Sequence, residues 1–518
     1  MNKIPNLDVL LVKAREHKTK YTENIEDVRI GYIDALLQKK DINTQILDFA
    51  FSQNDWTKNS YELIDIVRFA TPKVIIFFID KHPTNSPAYT LELLDTLTSN
   101  VDLNLSHITL YGNTQIDYAE FFEHNINSVI LGEEESALSL VFSVLNNNFP
   151  QQTNGIAYRS ANSQIQICKA ELNCNNLDDL PFPTRYAFEK VSNKQYAASI
   201  LSSRGCFGKC SYCYLRSKEK YFSHYQWRER SVENVVDEIE QLYKIGVTEF
   251  FFVDDEFLPI GNKGIIRARE FSNEIIKRNL SINYSIYCRA DCLSEEIVQS
   301  LKESGLYCVF LGVESFSQSV LDRYNKNLSV EMNIAAISLL KKYDIHIRLG
   351  LIMFDMNTTL EELKSTIETL KLVSESKSEL LFQSMFFSNA LIPLNDTPSF
   401  NISCNEFLEI NPLMQENYMR RSRSGKKQYV FLDSKISAIY TCVGAMSEKL
   451  LSKCIEEENY FFTHGFSERR MNWFCNLTRF AICLLSVIYE NITSGMSIEV
   501  CNKIVEKEIN AFYSKIAA

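Results

Sequence analysis

Three cysteines, Cys206, Cys210 and Cys213, stand in a C-x3-C-x2-C spacing within Ser203-Arg-Gly-Cys-Phe-Gly-Lys-Cys-Ser-Tyr-Cys213. Thiolates are the ligands that iron–sulfur clusters require. A short loop containing Gly205 and Gly208 lets the backbone wrap three of them around one cube. Three ligands for four irons leave one iron open, and an open position is what chemistry at a metal needs. Zinc is the rival ion, and it takes four ligands in structural sites. No fourth Cys or His stands at a fitting spacing, since His224, the nearest histidine, lies eleven residues beyond Cys213.

The elements that must position this loop form a repeating pattern. Strand-like runs cover Ala197–Ser203, Thr248–Val253, Asn283–Cys288, Cys308–Val313, His346–Phe354 and Leu380–Phe387. Between them the periodicity predicts helices over Val232–Ile245, Ile265–Arg278, Glu295–Glu303, Val330–Lys342 and Leu360–Ser374. Ser231 and Ser294 stand where N-caps belong, and Gly246 and Gly305 where helices should stop. Six β/α repeats fit an incomplete barrel, because a closed one needs about eight. In barrels of this kind functional groups gather at the C-terminal strand ends. That rule singles out Asp254, Asp255 and Glu256, then Arg289 and Asp291, then Glu314 and Ser315.

The N-terminal part, residues 1–150, alternates in the same way. Strands are expected at Asp8–Val12, Thr44–Phe49, Val74–Ile79, His107–Tyr111 and Ser128–Leu131, with helices such as Glu26–Lys39, Ala88–Leu97 and Glu134–Leu145. The alternation argues for a flavodoxin-like parallel sheet. Residues 151–190 read as a connection with a short hairpin, Gly155–Arg159 and Gln164–Lys169, and a Pro-rich stretch, Leu180-Pro-Phe-Pro-Thr-Arg185. The barrel core is expected over 191–390 and a mostly helical C-terminal region over 391–518. The fold class is therefore α/β.

Of 518 residues, 45% are hydrophobic and 23% charged, the balance of a globular chain with a large core. The net charge of −11 does not supply the basic surface that nucleic acid needs. The start, MNKIPNLDVLLVKAREHK, is interrupted by Asp8 and lacks a small-residue cleavage site. The apolar stretch around Phe480–Tyr489 is too short to span a bilayer. A cytoplasmic protein with no membrane span is expected. The 14 cysteines are mostly scattered; those of the C-terminal region, including Cys404, Cys442 and Cys454, are too far apart for a metal motif.

C-x3-C-x-aromatic-C after a first barrel strand resembles the signature of the radical S-adenosylmethionine (SAM) superfamily. Trp227-Arg-Glu-Arg-Ser231, Phe252-Val-Asp-Asp-Glu256, Cys288-Arg-Ala-Asp291 and Leu311-Gly-Val-Glu-Ser315 are similar to the cobalamin-binding-domain-containing, class B methylase-like subfamily. The resemblance covers about Leu180–Leu370. It implies a 4Fe–4S cluster on Cys206, Cys210 and Cys213, SAM on the open iron, and cleavage to a 5′-deoxyadenosyl radical. It also implies that Tyr212 packs near the adenine. Arg289 then suits the SAM carboxylate, and Glu314 or Asp255 the ammonium or ribose. Two stretches depart from the subfamily. Phe354-Asp-Met-Asn-Thr-Thr359 replaces a Gly-Leu-Pro-Gly-like turn, and Asn395-Asp-Thr-Pro398 replaces Gly-Thr-Pro.

The N-terminal part resembles the cobalamin-binding domain of the same subfamily in Ile30–Leu37, Val74–Ile79, Tyr111-Gly-Asn-Thr114 and Val129-Ile-Leu-Gly-Glu133. It lacks the Asp-x-His-x-x-Gly motif that supplies a lower axial histidine in many cobalamin proteins. His17 and His82 are the histidines near its loops, and Phe77, Phe78 and Tyr111 are bulky residues that could fill its crevice instead. The resemblance thus implies a cobalamin-dependent radical SAM C-methyltransferase, with an electron donor such as flavodoxin or ferredoxin and a small-molecule or peptide substrate. Two rivals stand beside it: a cobalamin-independent radical SAM enzyme for cyclisation, oxidation or rearrangement, and a zinc-bound interaction protein.

Overall fold

In the computed structural model the described residues are 7–14, 26–52, 55–79, 88–112, 121–150, 153–170, 176–190, 197–218, 222, 226–375, 381–382, 431–464 and 468–517. They divide into two compact units. The first holds the described residues up to Phe207 together with Cys213–Val247; the second holds Gly208–Tyr212 and the described residues from Thr248 on.

The first unit is built on strands β1 (Val9–Lys13), β2 (Thr44–Asp48), β3 (Val74–Phe78), β4 (His107–Tyr111), β5 (Ser128–Ile130), β6 (Ile156–Arg159) and β7 (Ile165–Cys168). They pair in the order β2-β1-β3-β4-β5-β6-β7, parallel as far as β5. The parallel part has flavodoxin-like order, with its reversal between β1 and β3. The hairpin expected in the connection is β6 and β7, and it adds to this sheet antiparallel to β5. The central strand β3 is apolar throughout, as burial on both faces requires: all five of its residues are buried. Phe77 joins the core on one face, while Phe78 and Tyr111 join the core on the other. These two rings meet edge to face at 5.6 Å. The helices are α1 (Val28–Gln38), α2 (Trp56–Ala70), α3 (Ala88–Asn100) and α4 (Glu134–Leu145). Gly31 of α1 lies against the Pro-rich stretch, where a Cβ would come within 2.5 Å of Thr184 O. The unit also contains β8 (Ala197–Ile200), β9 (Ser203–Arg204), α5 (Tyr214–Lys218), β10 (Arg228–Glu229) and α6 (Val232–Lys244). A buried charge network ties α1, the Pro-rich stretch and α6. In it Arg185 pairs with Glu26 and Glu238, and Arg230 pairs with Glu238.

The second unit carries five parallel strands of the expected repeat, β11 (Glu249–Phe252), β12 (Asn283–Arg289), β13 (Leu306–Glu314), β14 (His346–Leu351) and β15 (Leu381–Phe382), paired in sequence order. Between them run α7 (Asn262–Lys277), α8 (Glu295–Glu303), α9 (Gln318–Arg323), α10 (Val330–Lys342) and α11 (Leu360–Glu375). Ser231 caps α6 and Ser294 caps α8, accepting from Asn234 N and Ile297 N. Gly246 and Gly305 hold the chain at φ +98° and +110° beyond those two helices. The helical C-terminal region consists of α12 (Ser434–His464), α13 (Glu468–Thr493) and α14 (Ile498–Ala517). Its Cys442 and Cys501 are buried. No described helix is long and apolar enough to cross a membrane. His17, His82, His224, Cys404, residues 113–114 and 395–398, and most of the expected last strand lie outside the described residues, as does the Cys454 side chain.

Candidate active site

The cysteine loop starts on a two-residue ribbon, β9 paired antiparallel with β10. Gly205 follows at φ +84°, and a Cβ there would come within 2.7 Å of Gln226 O. Both facts demand glycine. Buried Arg204 reaches Glu133 at 2.8 Å, Glu134 at 2.7 Å and Glu135 at 3.0 Å, and Arg228 also pairs with Glu133. Burial opposes the Arg204 charge, but the three carboxylates outweigh it and raise its pKa well above the ordinary value. Glu134 and Glu135 form the first turn of α4, where the helix dipole favours negative charge. Tyr111, at the C-terminal end of β4, donates its hydroxyl to Glu134 at 2.9 Å. Cys206 and Cys213, also in the first unit, are half-buried and form no disulfide.

The middle of the loop belongs to the second unit and is fastened there by its backbone. Ser211 N donates to Tyr324 O at 2.8 Å, Ser211 Oγ to Arg323 O at 3.3 Å, and Asn325 Nδ2 to Lys209 O at 2.8 Å. These bonds hold buried Cys210 at the ends of the barrel strands. Arg289, the last residue of β12, places Nη1 3.7 Å from Cys210 Sγ. The same guanidinium grips Asp291 with two bonds, at 2.9 and 2.8 Å, and donates to Lys326 O at 3.0 Å. Its backbone N–H goes to Glu256 Oε2 at 3.1 Å. Burial pushes the Glu256 carboxyl up to about 8, against the pull of Arg289 and two backbone N–H groups. Glu314 ends β13 at φ +63°, in the left-handed region, beside a register shift against β14. Such strain concentrates at functional sites. Its carboxylate pairs with Lys326 Nζ at 2.9 Å. Burial works against the Lys326 ammonium, but Glu314 and Cys210 outweigh it and raise the pKa.

Within the second unit the structure therefore brings Cys210 and Arg289 together, with Glu314 joined to them through Lys326. Tyr212 meets Tyr324 edge-on at 5.2 Å. Asp255 is half-buried after β11, and the carboxylate bonded to the Arg289 backbone is its neighbour Glu256. Lys326 escaped the sequence reading. Its one local signal is the pair of flanking asparagines, Asn325 and Asn327, both at positive φ, which make the tight turn that presents it. Arg204 was legible only as part of Ser203-Arg-Gly-Cys206. The departing stretch at 354–359 is a closed turn: Asp355 N donates to Thr358 Oγ1 at 2.7 Å, and Asp355 pairs with Arg323 at 2.9 Å.

The family model of the radical SAM superfamily matches residues 200–370, which contain all of this geometry except the Arg204 carboxylate partners. Residues 200–370 are a radical SAM domain. Among curated proteins, an uncharacterized methyltransferase of Pyrococcus horikoshii is 28% identical over 254 residues, covering 48% of this chain and 53% of the relative. The anaerobic magnesium-protoporphyrin IX monomethyl ester cyclase of Rubrivivax gelatinosus is 32% identical over 312 residues, covering 57% and 54%. The chain spans about half the length of the curated relatives it matches. Among solved structures, the cobalamin-dependent S-adenosylmethionine radical enzyme OxsB with aqua-cobalamin bound superposes with a TM-score of 0.71 at 17% identity, covering 98% of this chain and 81% of that one. At that identity the likeness is one of fold.

Proposed function

We propose that this chain is a radical SAM enzyme that holds a 4Fe–4S cluster on Cys206, Cys210 and Cys213 and cleaves SAM, and that it is a cobalamin-dependent C-methyltransferase. The observation that carries the first part is the buried contact of Arg289 with Cys210, with Lys326 beside it, inside the radical SAM domain. Two cations next to a cluster thiolate suit the negative charge of a thiolate-bound cluster. They also offer donors for a carboxylate, and Glu314 offers an acceptor for an ammonium. When bound, the cluster supplies the electron that cleaves SAM to a 5′-deoxyadenosyl radical, and cobalamin supplies the methyl group. An external donor such as flavodoxin or ferredoxin provides the electron, and the substrate is a small molecule or peptide.

The cobalamin part is supported by the β2-β1-β3-β4-β5 order, whose crevice lies at the C-terminal strand ends. Phe77 and Phe78 are core residues on the two faces of the sheet, so they are not available as a plug beyond the strand ends. A second reading, a radical SAM enzyme without cobalamin that performs cyclisation, oxidation or rearrangement, is favoured by one observation. The ends of β4 and β5 are already engaged by Tyr111, Glu134 and Arg204. The cyclase relative also fits it.

Anaerobic reconstitution tests both parts. With dithionite and SAM the protein should release 5′-deoxyadenosine, and a Cys206, Cys210 and Cys213→Ala triple variant should hold no cluster and release none. Cluster iron at about four per chain in the triple variant would overturn the assignment. Failure of the wild type to retain hydroxocobalamin would replace methyl transfer with the second reading.

A further inference from the structure

The end of β12 carries two cysteines that the cluster does not use. Cys288 is the penultimate residue of that strand, and Cys292 closes the short 3-10 turn Ala290–Cys292. Glu256 follows β11, the parallel neighbour of β12. Phe257 N donates to Tyr287 O at 3.3 Å, which turns the chain after β11 back onto β12. Glu256 is thereby set beside the two thiols, and the two sulfurs and a carboxylate oxygen all lie within 4.8 Å of one another. The three residues are 1%, 4% and 2% exposed in the order Glu256, Cys288, Cys292. Each Glu256 oxygen takes a backbone N–H, from Leu258 at 3.5 Å and Arg289 at 3.1 Å, and the Cys288 thiol hydrogen-bonds both Glu256 and Cys292.

Buried cysteines are often no more than small apolar side chains. Packing alone does not account for a fully buried acid hydrogen-bonded against two thiols, because an apolar residue would fill the same space without burying polar groups. We propose that Glu256, Cys288 and Cys292 form a metal site, separate from the cysteine loop, for a thiophilic divalent ion of the zinc class. Zinc binds thiolate sulfur at about 2.3 Å and carboxylate oxygen at about 2.0–2.2 Å. Tetrahedral angles then put the ligand atoms roughly 3.5–3.8 Å apart, inside the 4.8 Å that bounds their present spacing. Three protein ligands leave a fourth position for water, the arrangement of zinc sites that are not purely structural. Magnesium and calcium are excluded as natural occupants because they prefer all-oxygen shells. Two thiolates and one carboxylate around a divalent ion leave one negative charge, and the cationic side chains of Arg289 and Lys326 already act on Glu256. The ion would clamp the five-residue turn from Cys288 to Cys292. That turn holds the Arg289–Asp291 pair and so fixes the guanidinium at Cys210.

Cobalt(II) is the probe, because thiolate-to-cobalt charge transfer reports sulfur ligation directly. The full-length Cys206→Ser, Cys210→Ser, Cys213→Ser protein, titrated anaerobically, should bind one equivalent with charge-transfer absorption and the visible bands of a tetrahedral ion. Zinc should displace it. Adding Cys292→Ala should abolish the charge-transfer bands, and Glu256→Gln should weaken cobalt binding at least tenfold. A folded triple variant without these bands would overturn the site, as would bands that survive Cys292→Ala or a Cys288–Cys292 disulfide in anaerobically purified protein. If the triple variant does not fold, zinc analysis of the purified wild type decides. About one zinc per chain, lost in Cys292→Ala while the cluster absorbance remains, supports the site; no zinc, or zinc unaffected by Cys292→Ala, removes it.

Discussion

Arg289 does four things at once: it contacts Cys210, grips Asp291, binds the Lys326 carbonyl and anchors Glu256 through its N–H. A planar fork meets these demands and a point charge does not. Arg289→Lys therefore keeps the charge but loses the two-pronged bond to Asp291. SAM binding should weaken about ten- to hundredfold, the equivalent of losing about 1.5–3 kcal/mol of charged hydrogen bonding. Glu314→Ala should have an effect of the same size through loss of its carboxylate, while leaving the strained φ in place. Equilibrium dialysis of SAM against reconstituted protein, with iron counted in parallel, checks both. Unchanged affinity in both variants would remove these residues from the site, and lost iron would reassign them to cluster assembly. The cysteines were legible because ligands in one loop leave their spacing in the sequence. Lys326 was not, because it comes to Cys210 across 116 residues, through the bond between Asn325 and Lys209. Cys292 was hidden for the same reason, and Glu256 was legible only as a strand-end residue: the pairing of β11 with β12 is what shows that the two face one another.

At the scale of elements, the alternating pattern and the caps reported themselves well. Ser231 and Ser294 bond as the sequence suggests, since a cap is a local interaction. The destination of the hairpin was not legible. Nothing local in Ile156–Cys168 states that it pairs with β5, which depends on the whole sheet. His107, at the start of β4, shows how burial inside this sheet becomes measurable. Its ring packs on Phe149 at 4.5 Å and its Nε2 shares a hydrogen bond with Ser128 Oγ at 2.9 Å. Burial lowers its pKa to about 4, below the ~6.5 of an unfolded histidine. The unfolded chain therefore takes up the proton first as pH falls. The stability that neutral His107 contributes is complete above pH ~6.5 and lost progressively down to pH ~4, by at most about 3 kcal/mol. A His107→Gln variant lacks this titration. Between pH 7 and 4.5 the wild-type melting midpoint should fall further than that of the variant, and parallel declines would show that His107 does not titrate in this window.

For the whole molecule, the open question is whether the first unit carries cobalamin. Its histidines bear on how it would do so. His107 opens β4, at the edge of the sheet opposite the crevice, and His124 is paired with Asp95 at 2.7 Å. Neither of these described histidines stands at the C-terminal strand ends where a corrinoid would lie, and His17 and His82 lie outside the described residues. The Asp-x-His-x-x-Gly motif is absent from the sequence. Cobalamin bound here should therefore lack a protein imidazole below the metal, with its dimethylbenzimidazole tail displaced and water or nothing in the lower position. Dialysis of hydroxocobalamin against the anaerobic, cluster-loaded chain should leave about one equivalent behind. Reduced to cobalt(II), it should show no nitrogen superhyperfine splitting in its electron paramagnetic resonance spectrum. Nitrogen splitting that persists when His17, His82, His107 and His124 are all replaced by Gln would mean that the tail stays on the metal, and the displaced-tail reading would fail. No retention at cobalamin concentrations well above that of the protein would leave the Arg204–Glu134–Tyr111 contacts as a closed end of the sheet. It would turn the reaction towards cyclisation, oxidation or rearrangement.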